Sequence, residues 1–388
     1  MFIFEHSRCD EAGDNMLKIG IAGGGIGGLA AAIALRKAGH QAVVFEQAAR
    51  FGRVGADINL TPNAVRALDG LGIGATLRET AARPNARISR MWDTGEVTSR
   101  LAMSDEAERK YGAPQLTMHR ADVMAALEQA LLPDELHLGQ RIASVAQSGD
   151  AATLTLDDGS THAFDLLLGA DGIHSGVRRF LFGDEHPQFT GIVSYRAVVP
   201  AERLQGGDLG AFVKWWGPTD DLQIVTFPLN LGRDIFVFAT TSQPDWTHES
   251  WTMPGDADAL RRAYAEFHPE ARALLAACDT VLASALYIRD PLPKWTGARM
   301  ALLGDACHPM MPFMAQGAGM AIEDAVVLSR ALSGIGADGL EAALTRYERA
   351  RQERTARIQI GSRGNNWLKA GGNADWVYGY DAWTVPLD

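Results

Sequence analysis

Short and long apolar runs alternate at the start of the chain. A strand-like run covers residues 17–22, a stretch that is apolar nearly all round covers residues 29–35, and a second short run over 43–45 ends at Glu46. Short apolar runs bounded by turn residues are typical of buried strands, and the longer stretch is typical of a buried helix. Strand, helix and strand in this order predict a βαβ unit.

Glycines occupy the turn between the first predicted strand and the helix. Gly23, Gly25 and Gly28 have the spacing GxGxxG. In this motif the first glycine permits a tight turn, the second admits a pyrophosphate, and the third lets helix and strand pack closely. Glu46 follows Gly28 by 18 residues, where a carboxylate can accept hydrogen bonds from a ribose. The pattern favours dinucleotide binding; a tight turn with no ligand is the alternative.

A hairpin and a third strand are predicted near the middle of the chain. Thr and Leu alternate over residues 153–156, a turn follows, and an apolar run covers residues 164–168. Asp171 and Gly172 stand directly after this run. The third strand therefore leads into an acidic loop.

A fourth strand is predicted over residues 300–303, and it leads directly into Gly304 and Asp305. A glycine-bearing turn at 316–319 then opens a predicted helix over 320–332. The free N–H groups and partial positive charge of a helix N-terminus stabilise an anionic group. We expect such a group at this turn, with a plain helix entry as the alternative.

The segment between these strands is rich in β-formers. Residues 190–290 contain many Trp, Phe, Val and Thr residues and several turn pairs, which predicts a separate inserted sheet. A charged amphipathic helix is predicted over 341–360. The predicted fold class is α/β, with a Rossmann-like nucleotide-binding domain, an inserted β-sheet substrate domain and C-terminal helices. The predicted divisions are 16–185, 186–290 and 291–388.

Composition and charge exclude several classes of protein. The 388 residues include 36 Lys+Arg and 47 Asp+Glu, and the net charge of −11 argues against a nucleic-acid binder. The uncharged apolar run 19–35 is shorter than the roughly 20 residues that span a bilayer, so we expect no membrane segment. Residues 1–15 do not continue the pattern, and we expect a loose leader there. We expect no metal and a cytoplasmic location because three dispersed cysteines offer neither a disulfide framework nor a metal pair: Cys9, Cys278 and Cys307.

Three motifs in a fixed order are typical of a known family. The glycines at 23–28, then Asp171-Gly172, then Gly304-Asp305 together resemble the class A flavoprotein aromatic hydroxylases, the group of para-hydroxybenzoate and salicylate hydroxylases. The resemblance covers about residues 16–381. Within the group the chain most resembles the 6-hydroxynicotinate 3-monooxygenases. The segments that carry this likeness are 213–216, 306–310, 314–318, 321–324 and 375–381.

The resemblance implies a tightly but non-covalently bound FAD. Glu46 would hold the adenosine ribose, Arg120 the phosphate or ribityl region, and Asp305 the ribityl chain. The N–H groups of Gly317 and Ala318 would point at N1 and the C2 carbonyl of the flavin. The implied cofactor-binding residues are Gly23, Gly25, Gly28, Glu46, Gln47, Arg120, Asp171, Gly172, Gly304, Asp305, Gly317 and Ala318.

The resemblance also implies two co-substrates. NADH or NADPH would reduce FAD, with Asp171 and Gly172 serving its pyrophosphate as well; O2 would then give a C4a-hydroperoxide whose terminal oxygen passes to the ring. The expected substrate is a small hydroxylated and carboxylated aromatic or N-heteroaromatic ring, as in aromatic catabolism, with decarboxylation left open. We expect a monomer or homodimer. A non-hydroxylating flavoprotein of the reductase or halogenase type, and a flavin-based redox sensor, are the alternatives.

The substrate pocket should be mostly apolar with a few polar groups, because it must exclude water and orient the ring. A carboxylated ring needs a cationic anchor, for which Arg196 is preferred and Lys214 is available. By family analogy Pro309 would lie near the flavin. The candidate pocket residues are Phe212, Trp215, Gln223, Val225, Phe227 and Phe313.

One departure from the subfamily concerns the catalytic base. Asn59 aligns with a histidine that the resemblance implies to be the base, and asparagine cannot take a proton at working pH. Either the substrate is more acidic already, or His308 or a water chain serves; a structural His308 is the alternative. Val225 and Phe313 likewise replace a tyrosine and a histidine, which predicts a less polar or differently substituted ring. The candidate catalytic residues are Asn59, Arg196, His308 and Pro309.

Overall fold

The computed structural model describes residues 15–52, 57–103, 105–248, 253–297, 299–369 and 373–387. The expected leader, apart from Asn15, lies outside the described residues, as do Cys9 and the residues just before Asp57. Helices and four sheets form the α/β fold that the sequence predicts.

The bounds of the regular elements are as follows. The strands are β1 (Lys18–Ala22), β2 (Gln41–Glu46), β3 (Ile58–Leu60), β4 (Ala86–Met91), β5 (Val97–Ala102), β6 (Leu116–Met118), β7 (Leu136–Leu138), β8 (Ile142–Ser148), β9 (Ala151–Leu156), β10 (Thr161–Phe164), β11 (Leu166–Gly169), β12 (Gln188–Pro200), β13 (Phe212–Trp216), β14 (Gln223–Leu229), β15 (Asp234–Ser242), β16 (Met253–Pro254), β17 (Leu282–Ile288), β18 (Thr296–Gly297) and β19 (Met300–Leu302). The helices are α1 (Ile26–Lys37), α2 (Pro62–Leu71), α3 (Gly74–Thr80), α4 (Asp105–Tyr111), α5 (Arg120–Gln129), α6 (Gly176–Phe182), α7 (Ala257–Ala263), α8 (Pro269–Ala276), α9 (Gly317–Leu332), α10 (Leu340–Arg363) and α11 (Asp375–Tyr378).

The nucleotide-binding part is built on a six-stranded sheet with the order β18-β19-β11-β1-β2-β7. All neighbours pair in parallel except the edge strand β18. Strand β1 has its apolar residues buried because parallel partners lie on both sides of it. Helix α1 is buried from Ile26 to Leu35 and packs against α9. The predicted βαβ unit is therefore confirmed, with the helix starting at Ile26 because Gly25 is its N-cap and Gly28 lies in its first turn.

The second large sheet has eight strands in the order β16-β17-β12-β15-β14-β13-β4-β5. Its last two strands cover residues 86–102, which the sequence analysis assigned to the first part of the nucleotide-binding domain. Strand β4 joins the sheet by parallel pairing with β13, from Arg87 beside Phe212 to Met91 beside Trp216. The predicted division at 186 is therefore incorrect for this segment, because long-range pairing recruits a hairpin that lacks the aromatic composition of residues 190–290.

Smaller elements complete the fold. Strands β9 and β10 form the predicted hairpin, β8 adds a third strand that the sequence did not predict, and β3 pairs with β6. Helix α10 packs along α9, as the charged amphipathic pattern allows. In the part of the chain that the structure describes, no helix combines the length and apolar character needed to cross a bilayer.

Candidate active site

A cavity of about 460 Å³ lies where the carboxyl ends of β1, β11 and β19 face the eight-stranded sheet. In open α/β sheets this edge is where ligands bind. The predicted site residues that line the cavity are Gly25, Asn59, Arg120, Gly172, Phe212, Gln223, Val225, Phe227, Gly304, Asp305, Phe313, Gly317 and Ala318. Those that do not form its lining are Gly23, Gly28, Glu46, Gln47, Asp171, Arg196, Trp215, His308 and Pro309.

Each of the three motif positions requires glycine for a different geometric reason. Gly23 has φ +101°, and its N–H donates to the carbonyl oxygen of Phe45 over 2.9 Å. A Cβ at Gly28 would lie 2.0 Å from the carbonyl oxygen of Gly23, so no side chain fits there. A Cβ at Gly25 would meet no protein atom within 4 Å, because this position faces the open cavity. The turn thus leaves space for a ligand against bare backbone.

Glu46 is fixed by two backbone N–H groups. Its Oε2 accepts from Gly24 and its Oε1 from Ala48, both over 2.8 Å. This places the carboxylate beside the glycine turn, at the end of β2. Gln47 is exposed and lies away from the cavity wall, and nothing in its surroundings supports a part in binding.

Arg120 and Asp305 both line the cavity, and their opposite charges attract each other. Burial lowers the pKa of the Arg120 guanidinium, while the carboxylates of Asp305 and Glu46 act in the opposite direction. Surrounding protein raises the pKa of the Asp305 carboxyl, and His308 and Arg120 oppose that rise. The result is a cation flanked by two acceptors along the nucleotide edge of the cavity, suited to phosphate and hydroxyl groups.

Asp171 both caps a helix and keeps one oxygen free. Its Oδ2 accepts from the N–H groups of Gly176, over 2.8 Å, and Val177, over 3.3 Å, at the start of α6. Its Oδ1 is buried without a hydrogen-bond partner among the described residues, and burial raises the pKa of the carboxyl. The neighbouring Gly172, with φ +77°, lines the cavity.

Helix α9 begins at the cavity. It starts at Gly317, two residues before the predicted turn ends, and Gly317 and Ala318 both line the cavity. The first helical hydrogen bond runs from the N–H of Met320 to Gln316 over 2.8 Å. The N–H groups before Met320 therefore have no partner within the helix, and they carry its positive dipole end.

Comparisons with known proteins agree with this geometry. A family model described as FAD binding domain matches residues 16–360. The chain is 38% identical over 373 residues to a 6-hydroxynicotinate 3-monooxygenase of Pseudomonas fluorescens, covering 95% of this chain and 96% of that one. The chain belongs to the class A FAD-dependent aromatic hydroxylases.

Two further relatives support the same family. A 3-amino-4-hydroxybenzoate 2-monooxygenase of Streptomyces platensis is 35% identical over 353 residues, covering 90% of this hydroxylase and 88% of that chain. A structure described as a salicylate hydroxylase substrate complex superposes with a TM-score of 0.83 at 27% identity, covering 96% and 99% of the two chains. The hydroxylase is therefore a flavin-dependent aromatic monooxygenase that binds FAD.

FAD suits the nucleotide side of this cavity. Gly25 offers bare backbone facing open space, and Asp171 offers an unpartnered acceptor. The start of α9 at Gly317 offers free N–H donors. A dinucleotide that carries phosphates, hydroxyls and a ring with acceptor atoms needs these groups.

A buried ionic network lies behind the start of α9. Asp324 accepts from Arg351 Nε over 2.7 Å and from the N–H of Gly304 over 3.0 Å. Glu323 accepts from Arg351 over 2.6 Å and from Arg354 Nε over 2.9 Å. Two carboxylates and two guanidinium groups balance in charge, so the network ties α9 and α10 to the loop that carries Gly304.

His308 belongs to this network rather than to the cavity. Its Nε2 lies 2.6 Å from Asp324 Oδ2, and the side chain is buried against Trp295. Pro309 is also buried, and its carbonyl oxygen accepts from Gln359 over 3.0 Å. Pro312 lines the cavity instead. The catalytic roles expected of His308 and Pro309 are not supported, because both pack behind the loop.

The substrate-side wall is one face of the eight-stranded sheet. Alternation along β13 and β14 places Phe212, Lys214, Gln223, Val225 and Phe227 on the cavity side. On β15 the cavity side carries two aromatic residues that the sequence analysis missed, although they follow the same alternation: Phe236 and Phe238.

Trp215 points the other way. It is buried in the core behind the sheet, stacked on His268 at 5.6 Å between ring centroids, and Arg90 lies over its ring. Since neighbouring residues of a strand face opposite sides, Trp215 cannot share the cavity face with Phe212 and Lys214. Its assignment to the pocket is corrected on this ground.

Asp57 is the carboxylate that the sequence analysis overlooked. It lines the cavity two residues before Asn59, and burial raises its pKa to about 7 against the opposing charge of Arg196. Burial also lowers the pKa of Arg196, which Asp57 opposes. Arg196 thus lies next to a cavity carboxylate rather than in the cavity lining. Asn59 accepts from Gln115 over 2.7 Å and leaves its Nδ2 without a partner among the described residues.

Arg87 is the other missed residue of the wall. It is buried on β4 and lines the cavity, with its guanidinium 4.5 Å from the centre of the Phe212 ring. The alternation in residues 86–91 was the available signal, but the strand was not recognised. Among the described residues no group of three or more His, Cys, Asp or Glu side chains could hold a metal.

Proposed function

We propose that this hydroxylase uses NADH or NADPH and O2 to hydroxylate a small, hydroxylated aromatic or N-heteroaromatic ring. One observation carries the proposal: a single cavity joins the FAD-binding groups at Gly25, Asp305 and Gly317 to an aromatic wall on the facing sheet. The relative named 6-hydroxynicotinate 3-monooxygenase supports this class of ring.

FAD, when bound, supplies the activation of O2 and the transfer of an oxygen atom to the ring. The chain holds it non-covalently through the glycine turn, Arg120, Asp305 and the start of α9. The positive end of α9 stabilises negative charge on the ring system bound there. The protein thus holds the cofactor with backbone groups, one cation and one carboxylate.

The substrate wall excludes water and orients the ring. Phe212, Phe227 and Phe238 present flat apolar surface, and Phe313 closes the cavity from the loop after His308. A hydroxyl on the ring makes it electron-rich most strongly when its proton is lost. Asp57 is the carboxylate that can accept this proton at its Oδ atoms, since its pKa lies near neutral pH.

A substrate panel tests the function. Purified holoenzyme is given phenols and hydroxypyridines, with and without a ring carboxylate, and NADH or NADPH consumption is measured together with product mass. The expected result is faster consumption and a product heavier by one oxygen atom, or a product that has exchanged its carboxylate for a hydroxyl if decarboxylation occurs. Consumption that yields only hydrogen peroxide with every compound would contradict the proposal and support a redox-sensor or reductase function.

The setting and assembly of the protein are also proposals. Cys278 and Cys307 are buried and free, as expected of a protein of the reducing cytoplasm. A monomer or homodimer remains our expectation, and light scattering on the holoenzyme measures it.

A further inference from the structure

Three buried polar side chains stand together at one end of the substrate wall. Arg87 on β4 lies beside Phe212 in the pairing register, and Lys214 is the next cavity-facing residue of β13. Gln223 on β14 pairs with Trp216, one cavity-facing position further along. The three side chains are 4%, 2% and 0% exposed, and all line the cavity.

These groups are incompletely satisfied by protein. One terminal nitrogen of Arg87 and both side-chain polar atoms of Gln223 have no hydrogen-bond partner among the described residues. Lys214 donates to Asn365 over 2.5 Å, and an ammonium group has three N–H donors. Since buried polar groups are nearly always paired in native proteins, such a cluster in a cavity indicates a ligand with acceptor atoms.

The cluster also brings two basic side chains together, Arg87 and Lys214. Within the described chain, neither Arg87 nor Lys214 lies within salt-bridge distance of a carboxylate. Burial lowers the pKa of Lys214 well below its usual value, the cations Arg87 and Lys369 add to this effect, and only Asp220 opposes it. An anion between Arg87 and Lys214 would favour the charged form of both side chains and so offset the cost of their burial and mutual repulsion.

The opposite end of the wall has a different charge. In the sheet register Lys214, Val225, Phe238 and Arg196 form one row across four strands, so the two cations stand three strand spacings, or about 14 Å, apart. Arg196 has Asp57 near it. An anionic substituent therefore has more to gain at Lys214 than at Arg196, which the sequence analysis preferred.

We propose that Arg87, Lys214 and Gln223 form a subsite that binds the carboxylate of the substrate ring. The inference rests on the proposed function and names its substrate class: rings that carry a carboxylate as well as a hydroxyl. The guanidinium can donate two parallel hydrogen bonds to a carboxylate, and the ammonium and amide N–H groups can donate to the remaining lone pairs. The ring then extends over Val225 and Phe238 toward Asp57.

The first test needs no variant. Salicylate, 3-hydroxybenzoate, 4-hydroxybenzoate and 6-hydroxynicotinate, each with its neutral carboxamide, are titrated into oxidised holoenzyme at pH 7, and the flavin absorbance change gives each Kd. For at least one pair we expect the acid to bind about 10- to 100-fold more tightly than the amide. Equal affinity within every pair, or no binding by any acid, would overturn the inference.

Variants then locate the anion. In Arg87→Met and Lys214→Met the preference for the acid should fall toward one, mainly through weaker binding of the acid. Arg100→Met is the matched control, because Arg100 lies on the neighbouring strand and pairs with Ile88 on the opposite face of the sheet. Equal FAD content and circular dichroism spectra show that each variant is folded, and Arg87→Gln and Lys214→Gln, which also remove the charge, replace any variant that is not.

The outcomes separate the inference from the proposed function. If the preference for the acid survives in both variants and disappears in Arg196→Met, the carboxylate is bound at the other end and the inference is wrong. If uncharged phenols are hydroxylated as well as acids, the inference fails while the proposed function stands. If acids bind with the expected preference but no compound in the panel yields an oxygenated product, the proposed function fails and the subsite stands.

Discussion

The two sides of the cavity handle their buried polar groups in opposite ways. Behind the flavin side, Glu323, Asp324 and Arg351 are 0% exposed and every charge has a partner of the other sign. On the substrate side, Arg87 and Gln223 are also buried but keep unpartnered atoms. A network in which every charged group is paired fixes a loop in one geometry. Buried polar groups with unpaired atoms are available to bind a ligand that supplies the missing hydrogen bonds. The contrast suggests that cofactor geometry is built into the fold and that substrate choice depends on a few open contacts.

The largest effect should come from opening the closed network. Arg351→Met leaves Glu323 and Asp324 short of a buried cation, and breaking a buried ion pair from one side costs about 3–5 kcal/mol. Chemical denaturation should show this loss. Arg349→Met, on the exposed side of the same helix, is the control and should leave the midpoint unchanged. An Arg351→Met protein as stable as the wild type would remove the distinction between the two sides.

The next effect concerns the carboxylate on the open side. With a pKa of about 7, Asp57 is mostly protonated below pH 7 and cannot accept a proton, so kcat/KM should fall as the pH drops through 7. Asp57→Asn should lower kcat/KM by about 100-fold at pH 8 and abolish this acid limb. FAD content should not change, because the residue lies on the substrate side.

Two controls test the assignment of that limb. Arg196 lowers the pKa of Asp57, so Arg196→Met should move the limb to higher pH. Asp93→Asn removes an exposed carboxylate and should leave the profile in place. A limb near pH 7 that persists in Asp57→Asn would assign the titration to another group.

A smaller effect separates cofactor binding from folding. A Cβ at Gly25 meets only open cavity, so Gly25→Ala should keep the stability of the FAD-free protein while weakening FAD binding by about tenfold or more. Gly28→Ala places its Cβ 2.0 Å from the Gly23 carbonyl oxygen and should lower both. Flavin release by ultrafiltration and thermal unfolding of the stripped proteins measure the two quantities. Equal losses in both variants would contradict the separate reasons given for these glycines.

The smallest effect should come from an amide on the open side. Asn59 lines the cavity and has one unpartnered nitrogen, and Asn59→His supplies a titratable ring at this position. We expect a few-fold gain in turnover of 6-hydroxynicotinate and little change in flavin content. Gln147→His is the control, since Gln147 is exposed and lies outside the cavity lining. If Asn59→His changes the turnover of no substrate in the panel, this residue takes no part in substrate binding.

The sequence predicted what depends on local pattern. The strand, glycine turn and helix at residues 17–35 and the helix opening near Gly317 follow from periodicity and turn chemistry within short windows. The resemblance added FAD, which the glycine spacing alone left as an unspecified dinucleotide. Several predicted pocket residues, such as Phe212 and Phe313, do line the cavity.

What escaped prediction depends on contacts between distant segments. Arg87 reaches the cavity only because β4 pairs with a strand more than a hundred residues later. His308 was open to a catalytic interpretation until Asp324, on a separate helix, proved to be its partner. Trp215 was misassigned for a different reason. Its aromatic neighbours identified the strand, but the alternation of side chains between the two faces of a strand, which places Trp215 away from the cavity, was not applied.

The recruitment of β4 and β5 into the large sheet limits how the enzyme can be recombined. A chimera that exchanges only residues 186–290 with a relative would graft six strands onto a foreign hairpin and split the carboxylate subsite between two parents. If residues 86–102 are exchanged together with that block, Arg87 and Lys214 both come from the same parent protein. A chimera designed to change which ring these hydroxylases prefer therefore needs four crossover points along the chain rather than two, because both blocks must be exchanged together.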